Sequence, residues 1–150
     1  MFAGQSLPLV LLLLLGMIGW VISLYFRLVH REIISDRVIW MPRFLQMNDC
    51  RCEEIVDTRF GQTLGRSNAW WGLWYYPLLE LLLLGNWLFG IPGIGTIFIV
   101  ALLAFAYSVY LAWGLFILRV LCRPCLGAHL VNAAIFLILL TQTYPLFFTR

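Results

Sequence analysis

The sequence has little charge, and that charge is unevenly placed. Charged residues make up 11% of the 150 residues, lysine is absent, and hydrophobic residues make up 63%. A soluble domain of this length cannot bury so much apolar surface, because small domains have a high ratio of surface to volume. These deficits exclude an ordinary soluble domain. They predict one integral membrane domain, 1–150, with lipid around most of its surface.

The uncharged stretches mark the predicted membrane spans. Residues 1–26 carry no charge, and Glu80 is the only charged residue between positions 67 and 118. A spanning helix needs about 20 apolar residues, so the second stretch holds two spans, divided at the turn that begins at Gly90. The first stretch lacks the basic start of a signal peptide and is expected to be retained. We therefore predict an all-α, integral membrane four-helix bundle with spans near 8–26, 68–89, 95–118 and 124–148.

A polar segment, 27–67, separates the first two predicted spans. It contains seven of the ten arginines and six of the seven acidic residues. Its apolar residues, such as Ile33, Trp40 and Phe44, predict a long loop on the membrane surface, either a linker or a lid over a site between the helices. The chain has no glycine-rich nucleotide-binding pattern, and we expect membrane lipid but no nucleic acid among its partners.

The four cysteines form two close pairs. Cys50 and Cys52 lie in the polar segment, and Cys122 and Cys125 open the fourth predicted helix. An even number of spans places the polar segment and the turn before the fourth helix on one side of the membrane. All four cysteines are therefore predicted to share that side.

The sequence Cys122-Arg-Pro-Cys125 has the spacing of a redox-active dithiol. Two thiols three residues apart at a helix start can close a disulfide, and the helix N-terminus with Arg119 and Arg123 favours a thiolate. Two other readings stay open, a zinc site of four thiolates and inert packing. A membrane protein that handles soft metals through its two cysteine pairs is therefore the alternative function.

Several segments resemble, in the right order, those of the vitamin K epoxide reductase family. The run CRPCLGAH from Cys122 to His129 is similar to the redox motif of that family. Three further segments are similar to the end of its first helix, its loop and its entry into the second helix: Ile22–Tyr25, Cys52–Gly61, and Ser67–Gly72 followed by Tyr76. The resemblance covers nearly the whole chain.

The resemblance implies a thiol:quinone oxidoreductase with a helix bundle around the quinone. In that scheme a reduced partner gives electrons to Cys50 and Cys52, which then reduce the disulfide of Cys122 and Cys125 through a mixed disulfide. Cys125 faces the quinone, and Cys122 exchanges with the loop. Bacterial and archaeal members generate disulfides in other proteins, whereas vertebrate members reduce vitamin K epoxide.

The resemblance also implies a quinone site, for ubiquinone, menaquinone or a vitamin K-like molecule, and no metal. Asn68 matches an asparagine that the family places against a quinone oxygen. His129 follows Cys125 by four residues, so both share one helix face. Nearby aromatic residues either pack the quinone or form an interfacial belt: Trp70, Trp71 and Tyr76. Glu80 is an intramembrane carboxyl, and so a functional candidate, but it matches nothing in the family.

The loop departs from the family pattern, because only Arg51 separates Cys50 from Cys52. Either these two form a tight disulfide, or Cys50 is a bystander. No thioredoxin-like domain is fused within the 150 residues, so a separate thioredoxin-like dithiol protein is the expected partner.

Two considerations disagree about the side of the membrane that holds the cysteines. Nine of the ten arginines lie on that side, which by the positive-inside rule is the cytoplasm. The resemblance places the cysteines on the outer face of the inner or plasma membrane, or in the secretory lumen, where disulfides persist. We expect the outer face, on the strength of the resemblance.

Overall fold

The computed structural model describes residues 6–48, 51–91 and 93–148, and these are mostly helical. Within them, four α-helices have 22 to 26 residues and one has five. In chain order they are α1 Ser6–His30, α2 Cys52–Val56, α3 Asn68–Phe89, α4 Ile94–Leu118 and α5 Arg123–Phe148. The four long helices begin and end within a few residues of the predicted spans.

Three of the long helices are apolar enough to cross a membrane. In the described part of the chain these are Ser6–His30, Ile94–Leu118 and Arg123–Pro145. The prediction of a membrane protein is thus confirmed, and these three helices are its candidate spans. The remaining long helix, α3, is lower in hydropathy because it contains tryptophans, tyrosines and Glu80 among its leucines. The rings of Trp and Tyr are amphipathic and favour the membrane interface over the hydrocarbon core.

The long helices pack side by side in the order α3, α1, α5, α4. Helix α1 contacts both α3 and α5, and α4 packs against α5, whereas α3 and α4 contact each other little. Fully buried side chains join the helices at the centre: Leu12, Leu79, Ile97, Ile135 and Leu139. Large apolar side chains on the outer faces are exposed, including Leu14, Leu81, Ile99 and Leu137. An apolar exterior of this kind suits lipid as the surrounding solvent.

Left-handed residues end α3 and α4. Gly90 has φ 73° and donates its N–H to the Asn86 carbonyl over 3.0 Å. Glycine is favoured at this position after a helix because it has no Cβ to clash. Arg119 has φ 52° after α4, and Val120 N–H bonds back to the Leu115 carbonyl over 3.2 Å. This reversal leaves three residues before the α5 start at Arg123, so the cysteine motif follows directly.

The segment between α1 and α3 has more structure than the predicted loop. Its described residues include a 3-10 turn, Arg43–Leu45, the helix α2, and a hairpin of β1 Gln62–Thr63 and β2 Arg66–Ser67. The hairpin turn, Leu64–Gly65, has positive φ at both residues, as a tight turn between twisted strands requires.

Tyr25, near the end of α1, holds this segment against the bundle. Its side chain is completely buried. The Tyr25 hydroxyl donates to the Asp36 carbonyl over 2.5 Å and accepts from the Met47 N–H over 2.8 Å. One side chain therefore fixes two points that are 11 residues apart in the segment.

Candidate functional site

A cavity of about 400 Å³ lies among the four long helices. Its walls are mostly apolar and come from α1, α3, α4 and α5, with Ile55 and Val56 from α2 and with Phe60 and Gly61 from the turn before β1. Five of the residues that the sequence predicted for the site line it: Asn68, Trp71, Tyr76, Cys125 and His129. Trp70 and Glu80 are outside its lining. The volume falls within the range of small-molecule sites, roughly 300–1,000 Å³.

Cys122 and Cys125 form a disulfide at the start of α5. Their Cα atoms are 5.2 Å apart and their sulfurs 2.08 Å apart. The Cys125 backbone N–H donates to the Cys122 sulfur over 3.4 Å, so this sulfur already faces a backbone donor. Cys122 is fully buried, whereas Cys125 is half-buried and lines the cavity. The two sulfurs therefore face different surroundings.

The Cys122 side chain faces the surface segment. It belongs to a buried cluster that also contains Cys52, at the start of α2, together with Ile55, Phe60 and Val120. Cys52 is 0% exposed, and none of the described cysteines is a free thiol. The predicted site residue Cys50 lies outside the described residues.

An ion pair lies beside Cys52. The Arg51 guanidinium and the Glu54 carboxylate are 2.6 Å apart on the exposed side of α2. This hydrogen bond raises the pKa of Arg51, which stays charged. The net effect of the pair on stability is small because both side chains are in water.

Asn68 joins the hairpin to the cavity mouth. Its Nδ2 donates to the Phe60 carbonyl over 2.6 Å, and its Oδ1 accepts from Thr63 Oγ1 over 2.8 Å and from the Tyr107 hydroxyl over 3.3 Å. The Trp71 indole N–H adds a bond to the Thr63 carbonyl over 2.8 Å. The Asn68 side chain thus holds the hairpin in place, and its amide retains one further N–H for a ligand.

A second set of hydrogen-bonded polar side chains lines the cavity. The Tyr76 hydroxyl donates to Asn132 Oδ1 over 3.1 Å, and Asn132 Nδ2 donates to Ser108 Oγ over 2.7 Å. The Ser108 hydroxyl also lies 3.2 Å from His129 Nδ1. Beside these, the buried Tyr75 hydroxyl has no hydrogen-bond partner in the described part of the protein.

Sequence reasoning missed Ser108, Asn132 and Tyr75. A usable signal was present, because Ser108 and Asn132 are polar residues inside apolar helices, and such residues usually face a bundle interior. Glu80, which the sequence did single out, packs against Gly16 of α1, and its buried Oε1 has no partner among the described residues. Those residues also contain no cluster of three or more His, Cys, Asp or Glu side chains that could hold a metal ion.

The family of the chain follows from its sequence as a whole. A model of the vitamin K epoxide reductase family matches residues 10–140. The chain belongs to this family. Neither the curated proteins nor the solved structures gave a match.

Membership of the vitamin K epoxide reductase family makes this chain an oxidoreductase, and its apolar helices make it a membrane protein. The family acts on quinones. A close cysteine pair, a property expected of such an enzyme, is present as Cys122 and Cys125.

Proposed function

We propose that this protein is a thiol:quinone oxidoreductase that passes electrons from a partner dithiol through Cys50, Cys52, Cys122 and Cys125 to a membrane quinone, generating disulfides. One observation carries the proposal. The disulfide-bonded Cys125 lines the same cavity as the four residues expected to bind a quinone. A quinone there would lie beside the cysteine pair.

The cavity suits the chemistry of a quinone. Apolar walls accommodate the ring and its hydrocarbon substituents, while a few polar groups fix the carbonyl oxygens. Three donors are available at the lining: the second Asn68 amide N–H, the His129 imidazole and the unpartnered Tyr75 hydroxyl. A buried hydroxyl without a partner is costly, and a ligand carbonyl would supply the missing acceptor.

The electron path is proposed from the placement of the sulfurs. Cys52 and Cys122 share one buried cluster, and Cys125 lines the cavity. Thiol–disulfide exchange requires access to the attacked sulfur. Because Cys52 is completely buried, we propose that the partner attacks Cys50, and that the freed Cys52 thiolate then attacks Cys122.

Each turnover balances two electrons and two protons. The partner dithiol is oxidised to a disulfide, and exchange through the loop leaves Cys122 and Cys125 as two thiols. When their disulfide re-forms, Cys125 and Cys122 release two electrons and two protons. A quinone bound in the cavity would accept both electrons and both protons and would leave as the hydroquinone. Asn68, His129 and Tyr75 orient its oxygens, and the apolar walls exclude water.

We also propose that α3 is a fourth span and that 1–150 form one membrane domain. Its tryptophans and tyrosines lie mainly in the half that begins at Asn68, and leucines fill the half that ends at Phe89. Such a helix fits a bundle in which the aromatic half is at the interface. An outward-facing active site and a separate thioredoxin-like partner complete the proposal.

The deciding test is anaerobic quinone reduction by the purified protein with a small dithiol as electron donor. Wild type is expected to turn over, and Cys122→Ala and Cys125→Ala are each expected to abolish turnover. Thr143→Val is the matched control, because the Thr143 hydroxyl donates to the Leu139 and Leu140 carbonyls of its own helix and lies outside the cavity lining.

Full activity in Cys125→Ala would refute the mechanism. If folded wild-type protein reduced no quinone but bound zinc or copper stoichiometrically, the metal-handling function would replace the proposal.

A further inference from the structure

A chain of hydrogen-bonded side chains runs along the cavity wall from α3 to α5, then to α4 and back to α5. It leads from Tyr76 to Asn132, then to Ser108, and ends at His129. Ser108 is 4% exposed and lies inside an apolar helix. Buried polar groups are costly unless they are paired, so each member of this chain restricts the orientation of the next.

Ser108 determines the direction of the last hydrogen bond. Asn132 Nδ2 donates to Ser108 Oγ over 2.7 Å, and a serine hydroxyl has one proton of its own to donate. Its other partner within the described residues is His129 Nδ1, at 3.2 Å. This pairing favours donation from Ser108 to Nδ1, and a neutral imidazole that accepts there has its proton on Nε2.

We infer that Ser108 and Asn132 are positioning residues that hold His129 as an Nε2–H donor to the cavity. His129 and Cys125 are one helical turn apart on α5, and both line the cavity. A donor at this place suits a ligand whose carbonyl oxygen lies beside the sulfur. The asparagine amide cannot pass on a proton, so the chain orients the imidazole and conducts no protons.

The inference rests on the proposed function only for the identity of the ligand, a quinone. The orientation of His129 is a property of the protein alone. Two separate measurements can therefore test the two claims.

The first measurement is the tautomer of His129, read from ¹⁵N NMR of protein labelled at histidine nitrogens. The chain has two histidines, so a His30→Gln background and a purification tag without histidine leave one imidazole signal set. We expect the Nε2–H form in the parent and in Ser108→Thr, and a mixture of tautomers in Ser108→Ala. Thr143→Val, which loses a hydroxyl elsewhere on α5, should behave as the parent does.

The second measurement is quinone turnover by the same variants. Loss of one oriented hydrogen bond should raise the KM for quinone by about five- to tenfold in Ser108→Ala. Ser108→Thr should restore it to within about twofold, since the hydroxyl is retained. A purely packing role for Ser108 would instead make the larger threonine at least as harmful as alanine.

The outcomes separate the two claims. An Nδ1–H tautomer in the parent, or an Nε2–H form that Ser108→Ala leaves unchanged, would overturn the inference. The expected tautomers in a protein that reduces no quinone would support the orientation of His129 and overturn the proposed function.

Discussion

Two adjacent tyrosines on α3 should respond to loss of their hydroxyls in opposite ways. Tyr75 and Tyr76 both line the cavity, but within the described residues only the Tyr76 hydroxyl has a hydrogen-bond partner, Asn132 Oδ1 at 3.1 Å. In Tyr75→Phe an unpaired buried hydroxyl disappears, which should stabilise the ligand-free protein by about 1 kcal/mol. In Tyr76→Phe a hydrogen bond is lost and the Asn132 oxygen is left unpaired, which should destabilise it by about 1–2 kcal/mol.

The difference is measurable by thermal unfolding. A change of 1 kcal/mol shifts the Tm by about 2–4 °C in a protein of this size, so the two variants should lie on opposite sides of wild type. The assay is tryptophan fluorescence of purified protein in detergent. Adding quinone should stabilise Tyr75→Phe less than wild type, because its affinity should fall about fivefold with the lost donor.

Two results would refute this reasoning. If Tyr75→Phe unfolded at a lower temperature than wild type without quinone, the Tyr75 hydroxyl would already have a partner. If quinone raised the Tm of Tyr75→Phe and wild type equally, the hydroxyl would not contact the ligand.

Three further predictions concern the surface segment. Cys50→Ala should retain quinone reduction with small dithiols and lose it with a protein donor, because the inner pair is intact; equal loss with both donors would contradict this. Gly61→Ala should destabilise the protein by about 1–3 kcal/mol in thermal unfolding, because the new Cβ would clash with the backbone of α2. The control is Gly95→Ala in α4, where the new Cβ would meet open space and the change should be neutral or stabilising. Asn68→Ala should speed tryptic cleavage after Arg66 at least tenfold, because the three hydrogen bonds of the Asn68 side chain are lost and each contributes about 1 kcal/mol. An unchanged cleavage rate would show that these bonds do not stabilise the hairpin.

The long helices could be read from the sequence because lipid imposes a simple rule. A chain in hydrocarbon must satisfy its backbone internally, and charged residues are excluded, so the gaps between charges mark the helices. Gly90 then divides the longest gap, and the structure places a left-handed helix end there. The character of α3 was harder to predict, since its aromatic residues suit both an interface and a cavity wall.

The segment between α1 and α3 could not be derived in the same way. Its fold depends on contacts with the bundle, such as the two hydrogen bonds of Tyr25. No periodic pattern in the sequence indicates these contacts. The resemblance drew attention to Tyr25 without giving it a role. The structure supplies that role, as an anchor for the segment that carries Cys52.

The site was predicted mainly from motifs, and motifs give single residues without their partners. Asn68 and His129 were both expected to bind a quinone, and their function stays a prediction. Their hydrogen bonds to the hairpin and to Ser108 depend on distant parts of the chain, which a motif cannot contain. Physical rules for polar groups in membranes would have recovered Ser108 and Asn132 where the motif did not.

The two sulfurs of the Cys122–Cys125 disulfide have different surroundings, so this disulfide can link the buried cluster to the cavity. Cys122 lies in the buried cluster with Cys52, and its sulfur accepts the Cys125 backbone N–H. Cys125, one helical turn further, lines the apolar cavity. In the proposed mechanism, an electron pair that enters at Cys122 leaves beside Cys125 by exchange of sulfur bonds. A variant that relocates either sulfur should therefore stop turnover while the fold persists, which separates this mechanism from one in which the cysteines only brace the segment.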